Sequence, residues 1–73
     1  MYIVIEMQTD AENNVATIVD TFATQNEADS KFFLILSSAA VSTVPIHAAT
    51  ILRNDGRMVR FESYNHTEPS VEE

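Results

Sequence analysis

TQNEADSKFFLILSSAAV, residues 24–41, is the stretch on which the fold turns. Thr24 stands three residues before Glu27, the spacing of a capping box, in which the threonine hydroxyl accepts from the Glu27 amide and the Glu27 carboxylate accepts from the Thr24 amide. Behind this signal Ala28, Phe32, Ile35, Leu36 and Ala39 share one arc of a helical wheel, with Phe33 and Ala40 at its border. Glu27 and Asp29 lie where the positive end of a helix dipole favours anions. The spacing predicts a helix from Gln25 to about Val41 with that arc as its buried face. Ser42, Thr43 and Pro45 end it, because proline lacks an amide hydrogen and biases Val44 away from helical geometry.

Outward from the helix the apolar period changes from 3.6 to 2. Tyr2–Thr9 and Val15–Phe22 are rich in β-branched residues and flank a turn-forming run, Asp10-Ala-Glu-Asn-Asn14, so they predict an antiparallel hairpin. Ile46–Leu52 and Arg57–Tyr64 flank Asn54-Asp55-Gly56 and predict a second hairpin. The result is an α+β fold of ββαββ order: a four-stranded, mainly antiparallel sheet with one helix packed on one face. Strand orders 2-1-3-4 and 1-2-4-3 both satisfy the connections, and parallel pairing of the hairpins stays open. The predicted helix spans ~25 Å, close to an eight-residue strand, so one helix suffices for one face.

Both faces of such a sheet carry apolar groups. Ile3, Ile5, Met7, Val59 and Phe61 are assigned to the helix-covered face, and Tyr2, Val4, Met58 and Tyr64 to the other. Leu34 and Val41, seven residues apart, line the side of the helix away from its core arc. Tyr2, Val4, Leu34, Val41, Met58 and Tyr64 are therefore the expected interface, with a second copy as the simplest partner and a dimer as the simplest assembly.

Size points the same way. The chain has 73 residues, enough for one small core, and reads as one complete domain over residues 1–66, followed by an acidic tail, residues 67–73, expected to be disordered. Small domains often add disulfides, a metal or a partner subunit, and with no cysteine the disulfide and the thiolate metal site are excluded. Self-association remains. The N-terminus lacks a basic segment and a cleavage site, and no apolar run approaches the ~20 residues of a membrane span, so the expected location is the cytoplasm and no membrane partner is expected. Without a secretion signal, Asn65-His66-Thr67 reads as a chance match to a glycosylation sequon.

Formal charge is −7, from 11 acidic and 4 basic side chains, which repels nucleic-acid phosphate. Glu6, Asp10, Glu12, Asp20, Glu27 and Asp29 precede the first basic residue, whereas Arg53, Arg57 and Arg60 cluster near Asp55 and Glu62, their expected partners. Catalytic chemistry has little to work with. Arg60, Glu62, Tyr64 and His66 alternate along the last strand but form no nucleophile–base–orienter set. His47 reads as a partly buried histidine bonded to backbone, since a zinc site would need more than His47 and His66. Gly56 stands alone, so no phosphate loop exists, and no catalytic residue, cofactor or metal is expected.

MYIVIEMQT, NEADSKF, AAVSTVPIHAA and ESYNH, in that order, resemble a family of short proteins from Gram-positive gut bacteria, some associated with phage or mobile elements. The resemblance implies a compact domain and no known activity, and it departs at Phe32-Phe33, where members carry a more polar pair. The expected function is a non-catalytic, self-associating interaction module, in a phage or mobile-element setting. One alternative is an acidic inhibitor or mimic that binds a basic protein surface. The other is a small oligomeric enzyme with an intersubunit site built from His47, Tyr64 and Glu62.

Overall fold

Residues 1–66 are described by a computed structural model of the chain; the tail expected to be disordered, residues 67–73, lies outside the described residues. The elements run β1 (Tyr2–Thr9), β2 (Val15–Phe22), α1 (Gln25–Ala39), β3 (Ile46–Arg53) and β4 (Met58–Asn65). The strands form one sheet in the order β2-β1-β3-β4, every neighbouring pair antiparallel. This is the first of the two orders left open, and it excludes parallel hairpins.

Turn chemistry sets the two hairpins. In the first, Asn13 takes a left-handed φ of 67°, and one Asp10 carboxylate oxygen accepts from the amides of Glu12 and Asn14, each at 2.9 Å. In the second, Gly56 adopts φ 89° and donates to the Arg53 carbonyl, while Arg53 donates to the Arg57 carbonyl. A register shift between Ile51 and Leu52 follows, leaving Val59 as a bulge in β4.

The helix begins as its sequence predicts. Thr24 is extended, its hydroxyl accepts from the Glu27 amide at 3.2 Å, and Glu27 returns the bond to the Thr24 amide. It ends earlier than Val41. Val41 and Ser42 donate to the carbonyls of Ser38 and Ala39, tightening the last turn, and Ser42 is held by Val44 and His47, which draws the chain toward β3. Val41 thus lies past the helix and does not stack over Leu34.

Ala28, Phe32, Ile35 and Ala39 are the buried residues of α1, and the first three pack on Val4, Ala49 and Ile51, with Tyr2, Phe22, Leu36 and Val59 around them. The three alanines let the helix approach the middle of the sheet closely, and burying Phe32 and Ile35 stabilises the domain by about 1.5–3 kcal/mol each. This corrects the assignment of faces. Val4, 1% exposed, is in the core under the helix, and Tyr2 shares its side. Tyr64 lies there too, directly opposite His47. Ile3, Ile5, Met7 and Phe61 face away from it.

Fit and pairing go together with this choice of face: the helix needs small residues such as Ala49 beneath it and brings partners for the strand charges. Glu6, Asp20 and Arg60 all point to the helix side, where partners wait: His47 for Glu6, Lys31 at 3.7 Å for Asp20 and Asp29 at 2.8 Å for Arg60. Arg60 also lies over the Phe33 ring, 5.4 Å from its centroid. Its partner is therefore on the helix rather than at Asp55 or Glu62. Helix charges tie the sheet down at both flanks, so the strand charges belong on that side.

Candidate functional site

Two features stand out once the residues are placed. The first is a buried polar chain at the turn-bearing end of α1. His47, 4% exposed, places Nε2 2.6 Å from Glu6 Oε2 and Nδ1 3.1 Å from Ser42 Oγ. The Gln8 amide donates to the same Glu6 oxygen at 3.1 Å, and the Val44 amide donates to Ser42 Oγ at 3.3 Å. A carboxylate only accepts, so Nε2 donates to Glu6, and Nδ1 is paired with the Ser42 hydroxyl. Burial pushes the Glu6 carboxyl up, but the bonds from His47 and Gln8 and the charges of His47 and Lys31 outweigh it and leave it below its ordinary value.

This chain was not legible as such. His47 was expected to bond to backbone; its partners are the side chains of Glu6 and Ser42. The signal was Glu6, an acid in the middle of an otherwise apolar strand, which the β1–β3 register sets diagonal to His47. Serine, histidine and glutamate in line resemble the parts of an acyl-transfer site. His47 is nearly sealed from solvent, and the adjacent depression, about 240 Å³, is lined by Gln8, Asp10, Asn14, Val15, Ala16, Val44 and Pro45, and reaches neither Ser42 nor His47. The chain fastens the end of α1, through Ser42, to β3 and β1.

The other chemistry-bearing residues are also engaged. Tyr64 stacks on His66, their rings 6.3 Å apart and nearly parallel, and His66 Nε2 donates to the Ala39 carbonyl. A second groove, lined by Phe32, Phe33, Leu36, Val59, Arg60, Phe61 and Glu62, contains no histidine. Glu62 accepts from the Ser63 amide. No group of three His, Cys, Asp or Glu residues is placed to hold a metal ion among the described residues. Asp10 also has internal partners: the Asn14 amide, opposing desolvation, the Asn14 side chain and the Glu12 amide hold its carboxyl below the usual range. With Glu6, Asp20 and Asp29 paired as well, the acids of the first half of the chain are mostly spent inside the fold.

The second feature is the side of the sheet that the helix leaves open. The register places Val19, Ile5, Thr50 and Phe61 in one row across it, and Thr21, Ile3, Leu52 and Met58 in the next. The rows beyond are Thr17, Met7, Ala48 and Ser63, then Val15, Thr9, Ile46 and Asn65. None of these residues is charged, in a chain of formal charge −7. The outer strands of this side are open, with Val15, Val19, Met58 and Phe61 each more than half exposed, while Ala48 and Thr50 in β3 are buried between their neighbours. Of the interface expected from sequence, Met58 lies on this face, Leu34 and Val41 are exposed elsewhere, and Tyr2, Val4 and Tyr64 are on the helix side.

Comparison with family models, with curated proteins and with solved structures finds no match to this chain. The resemblance to short proteins of Gram-positive gut bacteria gains no support from it. No helix among the described residues is long and apolar enough to cross a membrane.

Proposed function

We propose that this chain is a non-catalytic, self-associating interaction module whose working surface is the open face of the sheet. The observation that carries the reading is the absence of any charge from that face. An antiparallel sheet with one solvated side ordinarily alternates apolar toward the core and polar toward water. Here the charged strand residues lie on the covered side and the uncovered side is built from Val, Ile, Leu, Met, Phe, Ala, Thr, Ser and Asn.

A second copy fits best. Two chains that each carry −7 repel through every acidic surface, so the patch through which they meet must be free of like charge, and this one is. Its size also fits. Four strands ~4.8 Å apart and ~26 Å long offer a projected area on the order of 500 Å², the scale of the roughly 800 Å² of accessible surface that each partner buries in a standard interface. Face-to-face sheets pack ~10 Å apart, with side chains interdigitating.

Phe61→Glu places a carboxylate on this face, in its edge strand β4, at a position already 58% exposed, so folding is spared and association is not. Light scattering after size exclusion is expected to show a smaller assembly for Phe61→Glu than for the unaltered chain, and no change for Leu34→Glu on the outer side of the helix. Equal masses for Phe61→Glu and the unaltered chain would remove the open face as the working surface.

A further inference from the structure

We infer that β2 is a second self-association element: its free edge pairs with β2 of another copy, antiparallel, joining two four-stranded sheets into one of eight strands. The two sheet edges differ in how they are guarded. Natural proteins blunt exposed edges with bulges, charges, proline or short strands. β4 has a bulge at Val59 and carries Arg60 and Glu62. β2 has one of these devices, the single charge of Asp20, and no bulge or proline. It pairs with β1 over eight consecutive positions without a shift, and of Val-Ala-Thr-Ile-Val-Asp-Thr-Phe only Asp20 is charged.

The unpaired groups can be identified. Asp10 donates to the Asn14 carbonyl, and antiparallel ladders alternate, so Ala16, Ile18, Asp20 and Phe22 bond inward to β1. Val15, Thr17, Val19 and Thr21 then turn their main-chain N–H and C=O groups to the outside. Ile18, on the helix side but beyond the cover of α1, is 53% exposed.

These positions select one register. A two-fold axis beside Ile18 sets Val15 against Thr21 and Thr17 against Val19, so all four outward residues exchange bonds with the other copy. Ile18 then meets Ile18, and Asp20 lies opposite Ala16. The two Asp20 carboxylates are separated by four residues, roughly 13 Å, beyond the Debye length of ~8–10 Å. Because the axis is perpendicular to the sheet, both open faces fall on the same side, and the uncharged surface doubles. This pairing uses the strand edge and the helix side of Ile18, and does not depend on burial of the open face.

The test separates the two surfaces. In the Phe61→Glu background, where face packing is blocked, light scattering is expected to give twice the 8.2 kDa of one chain. Adding Ile18→Lys is expected to return it to one chain, as is adding Ile18→Glu, while an equimolar mixture of those two doubled variants regains the dimer through opposite charges. Circular dichroism confirms that each variant is folded. Hydrogen exchange in Phe61→Glu is expected to slow at the amides of Thr17 and Val19 as concentration rises. A Phe61→Glu protein that stays at 8.2 kDa, or a dimer that survives both Ile18 substitutions, would overturn the edge pairing and leave the open face to be judged by its own experiment.

Discussion

Glu6 and His47 are two residues apart in register, diagonal across β1 and β3, and meet at 2.6 Å, with Gln8 and Ser42 completing the chain of bonds. Removing one partner of a buried, charge-assisted bond leaves the other without compensation, so His47→Ala is expected to cost about 2–4 kcal/mol in urea unfolding. The pH dependence has a definite sign. Glu6 has its folded pKa lowered, so the unfolded chain takes up the proton first on acidification. Its contribution is complete above the ordinary glutamate value of ~4.3 and is lost as pH falls through that value to the folded one. Glu6→Gln is expected to flatten this acid limb of the urea midpoint against pH; an unchanged limb would show that other carboxylates set it.

The helix shows what could be read from residues alone. Its start was legible because a capping box is local: Thr24 and Glu27 need only each other, and Thr24→Ala is expected to lower stability by about 1 kcal/mol, measured by thermal or urea unfolding. Both hairpins were legible for the same reason, their turns resting on Asp10, Asn13 and Gly56. The end of the helix was not, because it depends on Ser42 finding His47, which requires β3 to be in place. Nor was the choice of face. Counting apolar residues favours Ile3, Ile5 and Met7 for the core, and the count misleads because the helix brings Asp29 and Lys31 as partners for strand charges and needs small residues such as Ala49 beneath it. Glu6 could have revealed this, since an acid in a strand marks the side on which its partner lies.

At the scale of the molecule, the arrangement inverts the usual economy of a small antiparallel sheet. Ion pairs and the His47 chain occupy the covered side, and an uncharged surface about four strands wide is left to water. The four strands and one helix of residues 1–66 form a modest core, so the free energy available from covering that surface is large relative to the stability of a single chain. On the proposed reading self-association and stability are linked, and the midpoint of unfolding is expected to rise with protein concentration. The claim beneath all of this is that the open face of the sheet is closed by another copy. Light scattering of the unaltered chain and of Phe61→Glu side by side at about 100 μM tests it most directly; the account predicts a larger mass for the unaltered chain, and equal masses would contradict it.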